Sequence, residues 1–172
     1  MSKTENMDSL ELLGDGDVFR ETLCDMIEGV PMFSELTRPE VKLLAGYVRA
    51  YGAKKDAVIF KEGVKGMFMC IVLSGRVDLL KESQEREQKK VATVRPGKSM
   101  GEMSLLDELP YSATAVARED TQLLLLTRMN FERLSVEQPV LCIALLRQIA
   151  RLMSLRLRQT TGILLDYLGE GK

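Results

Sequence analysis

The sequence predicts a mainly β, α+β fold, an antiparallel β-sandwich or jelly roll with helices at both ends. Residues 47 to 127 break into short runs rich in Val, Ile, Leu and Phe, punctuated by Gly52, Gly63, Gly66, Gly75, Gly97 and Gly101. That is the pattern of many short strands joined by tight turns. The flanking segments instead place apolar residues at helical spacing. With 172 residues, 45% of them hydrophobic, the chain has enough apolar material for the core of one globular domain.

Residues 1 to 16 are polar, turn Gly/Asp-rich at Gly14, Asp15 and Gly16, and are expected to be a loose arm. Asp17 is placed to open a helix. Val18, Phe19, Leu23, Met26 and Ile27 then recur at helical spacing as far as Glu28, where Gly29 and Pro31 stop the pattern. Thr37-Arg-Pro-Glu40 has capping-box spacing with proline in the first turn, which predicts a second helix over 38–46, with Val41, Leu43, Leu44 and Val48 as the apolar face. Strands are expected near 48–53, 57–60, 67–73, 76–82, 89–94, 112–118 and 121–127. Ser74-Gly75 joins two of them at hairpin spacing, and the charged run Lys81 to Lys90 reads as a solvated hairpin tip. Beyond Arg128, Phe131 and Leu134 mark a short helix, Pro139 restarts the chain, and residues 140 to 168 run without proline. There Leu141, Leu145, Ile149, Leu152, Leu155, Gln159 and Gly162 or Ile163 keep the spacing of a helix–helix seam, so a homodimer through the long C-terminal helix is expected. The whole reads as one domain: arm 1–16, helices 17–46, β region 47–127 and helices 128–168.

Lys plus Arg (24) nearly balances Asp plus Glu (25), so no long-range field draws nucleic acid or an anionic membrane, and an anionic ligand must be held locally. Cys24, Cys70 and Cys142 are odd in number, widely spaced and set among apolar neighbours, which reads as reduced core residues. The N-terminus carries no signal pattern and the longest purely apolar run is Leu123 to Leu126, so a soluble cytoplasmic protein is expected. The absence of histidine removes the commonest general base and the commonest metal ligand together. With no CxxC, no DxDxDG loop and no Gly-x-Ser-x-Gly elbow, neither a catalytic residue nor a metal site is expected, and the chain is not read as an enzyme.

The informative stretch runs from Arg95 to Thr114. Gly101 lets backbone approach a ligand closely, and residues 102 to 107 (EMSLLD) fit one helical turn whose free N–H groups suit an anion. Glu102 is placed to accept from a sugar hydroxyl, while Ser112 and the N–H groups of Ser112 and Ala113 supply donors. The same residues also fit a plain strand–turn–strand connection with Glu102 as a favourable first-turn acid.

At these residues the sequence resembles the cyclic-nucleotide-binding domain family, which includes regulatory subunits of cAMP-dependent kinase, cyclic-nucleotide-gated channels and bacterial catabolite activator regulators. Val30-Pro-Met-Phe-Ser-Glu-Leu36, Val58-Ile-Phe-Lys-Glu-Gly63, Ile71-Val-Leu-Ser-Gly-Arg-Val77, Pro96-Gly97 and Gly101-Glu102 follow the family order across residues 30 to 160. The resemblance implies an antiparallel jelly-roll barrel with a phosphate-binding cassette at Gly101, Glu102, Met103, Ser104, Tyr111, Ser112, Ala113 and Thr114. It implies as ligand a cyclic nucleotide or another small phosphorylated molecule, and a regulatory role in signal transduction.

Two positions depart from the family. Where binders carry the arginine that pairs with the cyclic phosphate, this chain has Tyr111. A planar guanidinium makes charge-assisted bonds that a tyrosine hydroxyl imitates only as one neutral donor. Losing one partner of a desolvated charge pair costs about 2–5 kcal/mol, so impaired affinity for cAMP and cGMP is expected. In the long helix, Arg156 and Leu157 fall where the catabolite activator branch presents small hydroxyl side chains to the purine and are candidate helix contacts; Arg156 either points at an anion or, the preferred reading, is a solvated residue beside Arg158. Those bacterial regulators continue into a winged helix-turn-helix. Here Gly169 to Lys172 follow the long helix, so direct DNA binding is not expected. The expected function is a stand-alone dimeric sensor whose ligand shifts the terminal helices for a partner protein to read. The alternative is a degenerate scaffold that binds no nucleotide.

Overall fold

The computed structural model describes residues 7, 9–14, 16–83 and 85–169. Helix α1 (Gly16–Glu28) buries Leu23, Cys24 and Ile27, and a 3-10 turn at Pro31–Phe33 leads to α2 (Arg38–Leu44). The capping box forms as the spacing predicts: the backbone N–H and the hydroxyl of Thr37 both donate to Glu40 Oε2, at 2.8 and 2.7 Å.

The strands are β1 (Leu10–Leu12), β2 (Val48–Ala53), β3 (Val58–Phe60), β4 (Phe68–Ser74), β5 (Val77–Glu82), β6 (Gln88–Val94), β7 (Ser99–Met100), β8 (Thr114–Ala117) and β9 (Thr121–Thr127). The remaining helices are α3 (Glu102–Asp107), α4 (Arg128–Glu137) and α5 (Pro139–Gly169). Every ladder is antiparallel, and the ladders make two sheets, in the orders β1-β2-β9-β4-β7 and β3-β8-β5-β6. Among the described residues the ladders give two open sheets, since β1, β7, β3 and β6 each ladder on one side only.

Two strands lie outside the expected set. Leu10–Leu12 falls inside the segment expected to be a loose arm, yet it pairs with β2, Leu10 opposite Ala53 and Leu12 opposite Tyr51. Residues 1–6, 8 and 15 of that segment lie outside the described residues. Strand β7 is two residues long, opposite Cys70 and Ile71 of β4, and so short that it shows no period.

The first sheet has an apolar core on each face. Along β4, Phe68, Cys70 and Val72 join one core while Met69 and Ile71 join the other; along β9, Leu123 and Leu125 alternate in the same way with Leu124 and Leu126. Successive strand side chains point to opposite faces, so a strand buried on both reads as a continuous apolar run. One core lies between the sheets and takes in Phe60, Val77, Val94, Ala115 and Ala117 of the second sheet. The other is covered by helices, with Ile27, Val41, Leu44, Leu134, Leu141, Leu145 and Ile149 packed over Val48, Ala50, Met69, Ile71, Leu124 and Leu126.

This packing changes the reading of the long-helix seam. Leu141, Leu145 and Ile149 are buried against the chain's own core, not left for a partner helix, whereas Leu155 and Ile163 are exposed. The three cysteines are unpaired and buried, as expected. Among the described residues, no helix is long and apolar enough to cross a membrane.

Ile149→Ala should destabilise the fold by about 2–5 kcal/mol, the usual cost of truncating a fully buried aliphatic side chain. Val136→Ala, on the exposed face of α4, should stay within about 0.5 kcal/mol of the parent. Urea unfolding of the two variants checks both values.

Candidate functional site

The cassette begins at Gly101, in the left-handed region at φ +79°. A Cβ there would lie 2.9 Å from the Phe68 carbonyl oxygen and 3.2 Å from the Tyr111 ring, so both backbone conformation and space demand glycine. Close approach to β4 then sets the direction of α3. Its second anchor is Gly66 in the β3–β4 loop, where a Cβ would fall 2.1 Å from the Ser104 Cβ.

Glu102 opens α3 with its carboxylate buried. Arg156 reaches it from α5: one guanidinium nitrogen donates to Glu102 Oε1 and the other to the Ser99 carbonyl. The expectation of a solvated Arg156 is thereby corrected, because a buried carboxylate must find a charged or hydrogen-bonding partner and Arg156 is the one that the fold brings. Glu102 Oε2 and Ser99 Oγ are both buried without a hydrogen-bond partner among the described residues. Ser104 is buried beneath the cassette, whereas Met103 and, on α5, Leu157 are exposed.

Tyr111 points inward. Its ring stacks on Phe60 with centroids 4.1 Å apart and 14° between planes, and meets Phe68 edge-on at 5.9 Å. Its hydroxyl donates to the Phe68 carbonyl at 2.8 Å and accepts from the Met67 and Phe68 N–H groups, each at 3.2 Å. The hydroxyl is thus fully engaged by the backbone at the start of β4. Burial pushes the Tyr111 hydroxyl up to about 12, against the pull of those two N–H groups.

After Tyr111 the chain returns to solvent at Ser112, then buries Ala113 and Thr114. The Ser112 carbonyl accepts from Lys81 Nζ at 2.9 Å, and the same ammonium lies 2.9 Å from Glu62 Oε1. Glu62 Oε2 accepts from the Glu82 N–H at 2.9 Å, and the Thr114 hydroxyl oxygen accepts from the Glu62 N–H at 3.0 Å. The Glu82 N–H and then the Lys81 ammonium hold the Glu62 carboxyl below its ordinary range. Arg118, from the strand end beyond β8, pairs with Asp78 at 3.1 Å and so is committed there.

Sequence reading did not single out Glu62, Lys81, Ser99 or Arg128. Arg128 sits at the junction of β9 and α4 and is nearly buried; its guanidinium donates to the carbonyls of Gly66, at 3.2 Å, and Ser104, and lies 3.1 Å from a Glu108 carboxylate oxygen. No spacing announces these contacts. Lys81 reaches Ser112 because β5 pairs with β8 so that Leu80 stands opposite Thr114, a register that only the folded sheet supplies. Cys70 is fully buried; burial, and then the nearby Glu102 carboxylate, push its thiol well above the ordinary range, which leaves it an inert core group.

Tyr111→Phe keeps the ring but strands a buried carbonyl and two N–H groups, and should cost about 1–3 kcal/mol in denaturant unfolding. The raised Tyr111 value also has a pH signature. Its contribution is complete below the unfolded value of 10.0 and is lost as pH rises toward the folded value of about 12. The parent should therefore lose more stability than Tyr111→Phe between those limits, which unfolding at a series of alkaline pH values checks.

Comparison with known proteins identifies the family. The family model described as cyclic nucleotide-binding domain matches residues 53–138. The chain is 35% identical over 133 residues to the cyclic AMP receptor protein of Thermus thermophilus, covering 77% of this chain and 60% of that protein. It is 31% identical to the cAMP-dependent protein kinase regulatory subunit of Candida albicans over 68% of this chain and 24% of that one. The chain thus spans 60% of the length of the first relative and 24% of the second. Among solved structures, a cyclic nucleotide-binding domain from Methylobacillus flagellatus superposes with a TM-score of 0.80 at 28% identity, covering 92% of this chain and 89% of that one. The Thermus thermophilus catabolite activator protein gives 0.70 at 35% identity, over 81% and 63%. With a glycine-forced cassette turn, a buried acid at its first helical position and a family model matching residues 53–138, the chain belongs to the cyclic nucleotide-binding domain family.

Proposed function

We propose that this chain is a regulatory, non-catalytic sensor domain in which a ligand hydroxyl meets Glu102 and the response is read through α5, with affinity for cAMP and cGMP impaired. The observation that carries the impairment is Tyr111. Its hydroxyl is committed to Phe68 and Met67, so the cassette offers no cation at the position where the family pairs arginine with phosphate. Lys81 does not replace it while its ammonium is held by Glu62 and the Ser112 carbonyl. Glu102 supports a ligand-facing role, since one of its buried oxygens has no partner. The relatives named for cAMP support a nucleotide-like ligand. The jelly-roll connectivity, cytoplasmic location and homodimer pairing through the exposed half of α5 belong to the same proposal.

A second reading is a scaffold that binds no nucleotide. What favours it is that both cassette side chains meant for ligand already have protein partners, Tyr111 in the core and Glu102 on Arg156.

Calorimetric titration with cAMP and cGMP, each to millimolar concentration, separates the two. The sensor reading expects binding weaker than an arginine-bearing cassette by about 30-fold or more. Tyr111→Arg, with its fold checked by circular dichroism, should tighten cAMP binding by at least tens-fold. A correctly folded Tyr111→Arg that binds no better than the parent removes Tyr111 as the cause, and no binding by either protein supports the scaffold.

A further inference from the structure

The contact between Arg156 and Glu102 has an asymmetry that bears on regulation. The Glu102 side chain is 2% exposed and that of Arg156 is 40% exposed. If the pair separates, the guanidinium rehydrates at once, but the carboxylate stays in the protein and must take another donor. Whatever displaces Arg156 therefore has to present hydrogen-bond donors to Glu102. Two more buried polar atoms without partners, Glu102 Oε2 and Ser99 Oγ, lie on the same segment and suit a hydroxyl-bearing molecule.

The position of Arg156 along α5 gives the pair its leverage. Leu141, Leu145 and Ile149 fasten the first part of the helix to the core, whereas residues 157 to 165 are all exposed. Arg156 thus lies at the end of the fastened part, and its guanidinium grips both the start of α3, through Glu102, and β7, through the Ser99 carbonyl. Parting the pair would loosen the helix beyond Met153, which packs partly buried against the core, without unpacking the anchors before it.

We infer that Arg156 is a latch on the cassette: it occupies Glu102, and a hydroxyl-bearing ligand takes Glu102 by displacing it, so ligand occupancy and docking of the distal part of α5 exclude one another. This rests on the reading of Glu102 as the ligand-facing group. It gives Arg156 two effects at once, weakening ligand binding and holding the helix.

The test is hydrogen exchange by mass spectrometry on the full chain, comparing the parent with Arg156→Gln, Glu102→Gln and the double variant, alongside calorimetric titration with cAMP as the probe. Arg156→Gln changes a half-exposed side chain, and its melting temperature confirms that it folds. The latch expects amides of residues 154–165 to exchange several-fold faster in Arg156→Gln and those of residues 140–149 to stay unchanged. Glu102→Gln should match it, and the double variant should add nothing further, because both changes break one contact. It also expects cAMP to bind Arg156→Gln several-fold more tightly than the parent and to speed exchange of residues 154–165 in the parent. Unchanged exchange in Arg156→Gln overturns the latch, and so does weaker cAMP binding by that variant. If neither protein binds cAMP, competition for Glu102 falls together with the ligand reading, while faster exchange in Arg156→Gln would still show that the pair holds α5.

Discussion

Strands β4 and β9 carry apolar side chains on both faces, and the rest of the molecule is arranged to cover them. Phe68, Cys70 and Val72 face the second sheet while Met69 and Ile71 face the helices, and Leu123 to Leu126 divide in the same way. A strand pair of that kind cannot lie at a surface, so it needs a second sheet on one side and helices on the other. The second sheet supplies Val77, Ala115 and Ala117. The helical side is closed by α1, α2, α4 and the first part of α5. The cassette inherits its position from this pair, since Phe68 at the start of β4 provides both the carbonyl that excludes a side chain at Gly101 and the backbone groups that hold the Tyr111 hydroxyl.

The site is a set of charges already matched by protein. Glu102 is held by Arg156, Glu62 by Lys81, and Glu108 by Arg128. These pairs differ in what they are worth. Lys81 and Glu108 are largely exposed, where solvent screening leaves an ion pair little net effect. The Glu102 carboxylate is buried, so leaving it without a partner would be costly, and Arg156 supplies that partner. Tyr111 stands apart from this electrostatics. As a neutral group with its hydroxyl committed to backbone, it ties the cassette to β4 and adds no charge for a phosphate.

Much of the fold was legible in the residues. The capping box at Thr37 and Glu40, the Gly29 stop after α1, the strand runs between Val48 and Thr127, and the long proline-free helix after Pro139 all follow local rules that depend on neighbours a few residues away. Gly101, Glu102 and Tyr111 were legible as special positions for the same reason, through a short motif and a departure from it. Strands β1 and β7 were not, because three and two residues carry no usable period and are strands only by virtue of what they pair with.

By itself, then, the sequence determined the mixed class of fold, most of its elements and the family, since local spacing and ordered motifs encode these. The tertiary structure alone decided which side chains the cassette meets. Arg156 lies 54 residues from Glu102 and reads along its own helix as a solvated arginine; only the packing of Leu141, Leu145 and Ile149 against the core aims it at a buried carboxylate. Tyr111 could have faced ligand or core, and stacking on Phe60 with three hydrogen bonds to β4 backbone fixed it in the core. Such contacts join residues far apart in the chain, so they depend on strand register and helix docking that no local pattern contains.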